Sequence, residues 1–220
     1  MLKKVDLIIQ VIIENMGGVF VYSDVDVVFF DKISNDLICR LKEKDILFQS
    51  DSYNKVILCA GFFVCRANKR VLNLWKTCRV RIKDNLDFDD GLYDQDWINI
   101  LLKEDPQMVK FGTLPLDKYY SPREMVNLEN IPPIPKNVCV YHANFIIGTH
   151  KKEQLFSKVQ QIMNEGRCVS KKEYCCYCKK YTPSGYLKFK LQLIGKIGSF
   201  LKINSPKIYK LLKPYFPDKK

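Results

Sequence analysis

The feature that most constrains the fold is an apolar run from Val19 to Asp31, which contains two carboxylates one residue apart, Asp24 and Asp26. Valine and phenylalanine surround the pair, and such a run is typical of a strand buried on both faces of a parallel or mixed sheet. Because side chains alternate along a strand, we expect both carboxylates to project to the same side. The run therefore predicts an α/β fold with this strand inside the sheet.

The two aspartates need a counter-charge, because like charges in a partly desolvated place repel each other unless a cation or a shared proton lies between them. A divalent cation such as Mn2+ or Mg2+ binds carboxylate oxygens and completes its shell with phosphate oxygens and water. The alternative is that Asp24 and Asp26 lie in solvent at the end of the strand and cap the following turn. The apolar residues that continue past the pair favour the metal site.

Hydrophobic periodicity predicts the other elements of the chain. Residues 2–16 have apolar side chains at helical spacing and end at Gly17-Gly18. Further helices are predicted over residues 34–42, 67–82 and 94–103, and a last one ends near residue 165. Strands are predicted over residues 46–49, 56–66, 108–111 and 138–144.

The net charge of +12 comes from one part of the chain. Residues 1–166 contain 22 Lys or Arg and 22 Asp or Glu, whereas residues 167–220 contain 14 and 2. We therefore predict a globular domain over residues 1–166 and a basic helical tail over residues 167–220. Because the globular part is neutral and contains no nucleic-acid-binding motif, we expect no nucleic acid among the partners.

The tail interleaves lysines with apolar residues from Tyr186 to Lys220. Basic amphipathic segments of this kind lie on anionic membrane surfaces, and a plain docking helix is the alternative. The N-terminus has no small-residue cleavage site, and the chain has no apolar run of about 18 residues. We therefore expect a cytoplasmic or peripheral-membrane protein, and a Golgi-type lumen would require an additional N-terminal anchor.

The nine cysteines form two groups. Five lie among apolar residues, where a free cysteine usually behaves as a small buried hydrophobe. The other four lack the paired Cys-x2-Cys spacing of common zinc sites, so a structural zinc, disulfides and idle thiols all stay open. These four are Cys168, Cys175, Cys176 and Cys178.

Three further segments contain candidate site residues. Gly61 lies inside a predicted strand, where a glycine marks either a close approach to another group or a simple bulge. Asp94 and Gln95 begin a predicted helix, in which Asp94 is a candidate cap. His142 ends a predicted strand, and a histidine in such a place is more often a core or surface residue than a ligand.

Taken in chain order, four motifs resemble those of nucleotide-diphospho-sugar transferases, which are glycosyltransferases with the GT-A fold. The resemblance is to retaining members such as plant xylosyl- and arabinosyltransferases, with kinship to bacterial galactosyltransferases. It implies a Rossmann-like mixed sheet flanked by helices, and sugar transfer from a nucleotide-diphosphate sugar, foremost a UDP-sugar, to a glycan, protein or lipid-linked acceptor. The motifs are Tyr22-Ser23-Asp24-Val25-Asp26, Cys59-Ala60-Gly61-Phe62, Asp94-Gln95-Asp96, and His142 with Gly148 and Lys151.

The resemblance also implies a role for each motif. Two carboxylates and a late histidine would hold the Mn2+ or Mg2+ that bridges the donor diphosphate, and a lysine would add positive charge beside the leaving phosphate. Residues of the third motif would lie at the reacting carbon, and glycines and their neighbours would contact the donor. These roles fall on Asp24, Asp26 and His142 for the metal, Asp94, Gln95 and Asp96 for catalysis, and Ala60, Gly61, Gly148 and Lys151 for substrate binding.

Two departures from the family pattern lead to expectations of their own. Cys59 occupies the place of the usual asparagine that holds the donor sugar. The aspartate pair lies at residue 24, whereas in the family it follows the strands that bind the nucleotide base. We therefore expect an N-terminally shortened domain that associates with itself or with an upstream polypeptide.

Two other function classes compete with this interpretation. Haloacid-dehalogenase-like phosphatases also have Asp-x-Asp after an apolar strand, and Val28 suits their pattern. They require a loop directly after the strand, however, and the apolar run continues to Phe30. An inactive fragment that binds membranes through its tail is the non-enzymatic alternative.

Overall fold

The computed structural model describes residues 2–51, 57–85, 92–122, 128–129, 131–144 and 146–180. The chain divides into two units, Met1–Cys176 and Tyr177–Lys220. The domain boundary expected from composition, between residues 166 and 167, stays a prediction. The tail beyond residue 180 lies outside the described residues, so its predicted membrane contact and helical structure also stay predictions.

The described residues form six helices and seven strands. In chain order these are α1 (Leu2–Glu14), β1 (Val19–Ser23), β2 (Val27–Phe29), α2 (Ser34–Leu41), β3 (Ile46–Ser50), β4 (Leu58–Arg66), α3 (Lys69–Asp84), α4 (Asp94–Glu104), β5 (Phe111–Thr113), β6 (Tyr119–Tyr120), β7 (Val140–His142), α5 (Thr149–Asn164) and α6 (Lys171–Lys180). The helices that periodicity predicts in the first 166 residues are all present.

Two mixed sheets organise these strands. The larger has the order β1-β4-β3-β5, in which β3 and β5 are parallel and the other pairs antiparallel. The smaller has the order β2-β7-β6, in which β6 and β7 are parallel. The predicted α/β fold with a mixed sheet is therefore confirmed.

Two clusters of buried side chains form the core. The first joins α1, α3 and α4 to the larger sheet, and its ring contacts include Phe63 stacked on Trp75 with centroids 5.3 Å apart. Helix α1 buries Val5, Ile8 and Ile12, whose spacing gives the helix one apolar face. The second cluster joins α2 to strands of both sheets. The second cluster therefore holds the two sheets together.

The prediction of one buried strand from Val19 to Asp31 is wrong. Strand β1 ends before Asp24 and β2 begins after Asp26, and the two strands belong to different sheets. The reason lies in their partners: the Asp24 N–H donates to the Gly61 carbonyl (2.7 Å), while the Asp26 carbonyl accepts from the Ala143 N–H (2.9 Å). The aspartates therefore meet in a turn between the sheets and not by alternation along a strand.

Strand β1 is also not buried on both faces. It lies at the edge of the larger sheet, and Val19 and Val21 are each 42% exposed. Among the described strands only β4 pairs with it. An edge of this kind is a template for pairing with another chain, and the expected association with a second copy or an upstream polypeptide stays a prediction.

All nine cysteines are free thiols in the structure. Burial raises the pKa of Cys78 to about 12 and that of Cys65 further, as expected for small buried hydrophobes. Within the described part of the chain, the second group of cysteines joins no cluster of potential metal ligands. The same residues include no helix that is both long and apolar enough to cross a bilayer.

Candidate active site

The turn between β1 and β2 brings Asp24 and Asp26 next to His142 at the end of β7. One ligand atom from each side chain lies within 4.8 Å of the others. His142 is only 1% exposed and its Nε2 lies 3.4 Å from Asp26 Oδ1. Over the described ranges, this is the one cluster of three or more histidine, cysteine or acidic side chains with such spacing. Two carboxylates and an imidazole suit a divalent cation.

Gly61 leaves room for this cluster. A Cβ atom at this position would lie 2.4 Å from His142 Cε1 and 2.8 Å from Asp24 Oδ2, which is too close for any side chain. The register between β3 and β4 shifts beside it, between Phe48 and Gln49. Both sequence interpretations therefore apply, because the strand bulges here and its backbone approaches the candidate metal ligands.

Two lysines face the carboxylates, and the sequence analysis missed both. Lys4 of α1 lies 3.2 Å from Asp24 Oδ1, and Lys152 of α5 contacts Asp26. The predicted cation, Lys151, is exposed instead. Because α5 already begins at Thr149, the residue that turns toward Asp26 is Lys152.

The charged groups shift one another's pKa values. Hydrogen bonding to His142, followed by Lys152, lowers the pKa of Asp26 against the opposing effect of burial, so this carboxylate is ionised at neutral pH. Burial by itself lowers the pKa of Lys4, but Asp94 and Asp24 outweigh it and the pKa is raised. Burial, and then a 2.8 Å hydrogen bond donated to Asp24, raise the pKa of Tyr22.

The first two residues of the Asp94-Gln95-Asp96 motif lie beside the aspartate–histidine cluster. Asp94, the first residue of α4, is 2.9 Å from Lys4, which therefore bridges it to Asp24. The Gln95 Oε1 accepts from the Ala60 N–H at 3.3 Å. Asp96 instead accepts from the Tyr93 N–H at 3.1 Å and so stabilises the start of the helix. Asp94 and Gln95 are thus the better candidates for catalysis.

Asp51 is a further site residue that the sequence analysis missed. It lies just after β3, is 4% exposed and accepts hydrogen bonds from three side chains. Gln95 and Ser121 donate at 2.9 Å, and Asn144 donates at 3.0 Å. A lone aspartate after a strand has no sequence signal that distinguishes it. Its satisfied contacts link three segments around the site.

Gly148 was expected to contact the donor, and Cys59 to leave the site without the usual asparagine, and the structure adds to both expectations. Gly148 precedes α5 with a positive φ of 101°, and no described atom would lie within 4 Å of a Cβ there. Its backbone conformation therefore explains the glycine. The Cys59 Sγ lies 3.6 Å from the Asn144 amide, so a nearby asparagine is present although the motif itself has cysteine.

A mixed α/β fold with two carboxylates and a histidine at the junction of its sheets is consistent with a GT-A-like nucleotide-sugar transferase. The family model described as nucleotide-diphospho-sugar transferase matches residues 1–156, and the chain belongs to this family. The matched range includes every site residue from Lys4 to Lys152. No curated protein sequence matches the chain. Family membership supports a glycosyltransferase that uses a nucleotide sugar, and gives no support to the phosphatase alternative.

Proposed function

We propose that the chain is a metal-dependent glycosyltransferase that moves a hexosyl or pentosyl group from a UDP-sugar to a glycan, protein or lipid-linked acceptor with retention. The observation that carries this proposal is the convergence of Asp24, Asp26 and His142. Retention, the UDP-sugar and the acceptor rest on the resemblance of the motifs.

The donor set fits a divalent metal such as Mn2+ or Mg2+. Two carboxylate oxygens and one imidazole nitrogen, all within 4.8 Å, are near enough to share an ion. When bound, the metal would supply positive charge to the leaving diphosphate. Lys4 and Lys152 bring ammonium groups to the same place, where they would pair with phosphate oxygens.

The neighbouring side chains are suited to positioning the reacting sugar. Gln95 is held at both ends of its amide, by Asp51 and by the Ala60 N–H. Asp94 is 8% exposed and paired with Lys4, so its position relative to the metal ligands is defined by one shared cation. We assign Asp94 and Gln95 to the surroundings of the reacting carbon, because ordered polar groups there stabilise charge as it develops.

Thermal unfolding with Mn2+ and UDP tests the proposal. A ligand that binds only the folded state raises the melting temperature, so we expect Mn2+ and UDP together to raise it. Asp26→Asn should abolish the rise because one metal ligand is lost.

Asp31→Asn is the matched control, since Asp31 lies in the same run but its described hydrogen bonds are with the Lys32 N–H and the Cys139 thiol rather than with the aspartate–histidine cluster. It should respond as the wild type does. An Asp26→Asn variant with the full response would contradict the metal assignment.

A further inference from the structure

Gln49 is a buried amide beside the histidine of the metal cluster. It lies in β3 of the larger sheet, whereas His142 lies in β7 of the smaller one. Their side chains meet across the junction of the sheets, with Gln49 Oε1 2.8 Å from His142 Nδ1. Gln49 is 0% exposed and His142 1%, so solvent does not compete for this contact.

The two nitrogens of this imidazole face different partners. Nε2 lies 3.4 Å from Asp26 Oδ1, on the side of the metal ligands, and Nδ1 faces Gln49. A neutral imidazole carries its proton on one nitrogen and has a lone pair on the other. Nε2 can bind a metal only when the proton of the neutral ring is on Nδ1, and a hydrogen-bond acceptor at Nδ1 stabilises that tautomer.

We infer that Gln49 is the positioning residue for metal binding: its amide oxygen accepts the Nδ1 proton of His142 and so leaves Nε2, which faces Asp24 and Asp26, as the nitrogen that binds the metal. This inference rests on the proposed metal-dependent function. It adds a residue to which the motifs give no role.

The surroundings of Nδ1 contain one other candidate partner. The Cys59 Sγ lies 3.7 Å away, and sulfur is a weak acceptor. Burial, followed by the charge of Asp51, raises the pKa of Cys59, so its thiol stays protonated. The amide oxygen of Gln49 is therefore the stronger acceptor.

The other end of the Gln49 amide supports a specific role. Its Nε2 is buried and has no hydrogen-bond partner in the described structure. A buried donor without an acceptor destabilises a fold. The amide is thus costly for folding alone, as expected for a residue whose oxygen serves the site.

Calorimetric titration of the full chain with Mn2+ at saturating UDP tests the inference. Gln49→Met and Gln49→Leu replace the amide with an apolar side chain of similar size and so remove the acceptor. Mn2+ affinity should therefore fall about 10- to 100-fold. Gln49→Glu keeps an oxygen at Nδ1 and should retain affinity within a few-fold.

Gln160→Leu is the control, since Gln160 is exposed on α5 and bonds Asn164. It should bind Mn2+ as the wild type does. Unchanged affinity in both Gln49→Met and Gln49→Leu would overturn the inference alone, and so would an equal loss in Gln49→Glu. A wild-type chain that binds no Mn2+ would instead overturn the proposed function, and the inference with it.

Discussion

Asp24 and Asp26 each lie beside a lysine from a helix far away in sequence. Lys4 comes from α1 and Lys152 from α5, and each ammonium group contacts a different carboxylate. Opposite charges at this range attract each other. The site therefore combines two candidate metal ligands with cations that are suited to a diphosphate.

Lys152 and its neighbour provide a matched pair of variants. Lys152→Met should weaken UDP binding in the presence of Mn2+ by about tenfold, because a hydrogen bond to a charged group contributes about 1.5–3 kcal/mol. Lys151→Met should leave the affinity unchanged, since Lys151 is exposed. Both affinities are measured by calorimetric titration with UDP. Equal losses of UDP affinity in the two variants would show that Lys151 also binds the diphosphate, contrary to this prediction.

At the scale of elements, the Asn99 side chain of α4 forms two hydrogen bonds with the backbone of β4, as a neighbouring strand would. The Asn99 amide accepts from the Leu58 N–H at 2.9 Å and donates to the Leu58 carbonyl at 2.8 Å. It thereby satisfies the start of β4, where a neighbouring strand would otherwise be needed. Because Asn99 and Gln95 are one helical turn apart, the same contact positions Gln95 near Ala60.

Asp45 joins three elements at the other end of β3. Its carboxylate accepts from Asn68 at 2.7 Å, from Arg70 at 2.9 Å and from the Lys110 N–H at 2.8 Å. Asn68 in turn caps α3 by accepting from the Val71 N–H. The start of α3 and the approach to β5 are therefore both held by one buried carboxylate.

Asp45→Asn should lower the free energy of unfolding by about 2 kcal/mol, because it weakens charge-assisted hydrogen bonds. Burial by itself raises the pKa of Asp45, but hydrogen bonds from Arg70, Lys110 and Asn68 outweigh it, and the pKa is lowered from 3.8. The unfolded chain thus binds the Asp45 proton more readily than the folded chain does. The stability that the Asp45 carboxylate contributes is therefore present above pH 3.8 and is lost as the pH falls through the lower pKa of the folded state.

Urea unfolding at several pH values measures both effects. Between neutral pH and mild acid, the variant should be less stable than the wild type by a constant amount. Below the ordinary pKa of an aspartate, the difference should shrink. A difference that is independent of pH throughout the acid range would show that the carboxylate charge is not what stabilises this junction.

At the scale of the whole molecule, the net positive charge comes from residues 167–220, which follow the range that matches the family model. We propose that residues 167–220, with 14 Lys or Arg, hold the protein on anionic membranes. Each basic residue near such a surface contributes about 1 kcal/mol. Co-sedimentation with anionic liposomes should therefore be strong at low salt and weaken steeply as salt is added.

Neutral liposomes of the same size are the control, and the protein should stay in their supernatant. Equal binding to neutral and anionic liposomes would contradict an electrostatic attachment. A transferase held in this way would reach lipid-linked or membrane glycans, which is one of the acceptor classes in the proposed function.

Local pattern was sufficient for most elements. Helices α1 to α5 and strands β3 and β4 agree with periodicity to within a few residues, because an apolar face is a property of neighbouring residues. The break between β1 and β2 had no such signal. It depends on Phe62 and Tyr141, which pair with Ser23 and Val28 from distant parts of the chain.

The sequence by itself indicated the family, predicted the two carboxylates as a paired metal site, and marked Gly61 as either a close approach or a bulge, since each depends on residue type and short spacing. Only the tertiary structure decided which lysines face the carboxylates and that Asp51 and Gln49 belong to the site. Lys4 lies on α1, Gln49 lies in β3, and Asp51 follows β3 directly. None of these segments contains a motif. Their side chains meet the site only because two sheets and a helix pack together, and no local pattern encodes such long-range contacts.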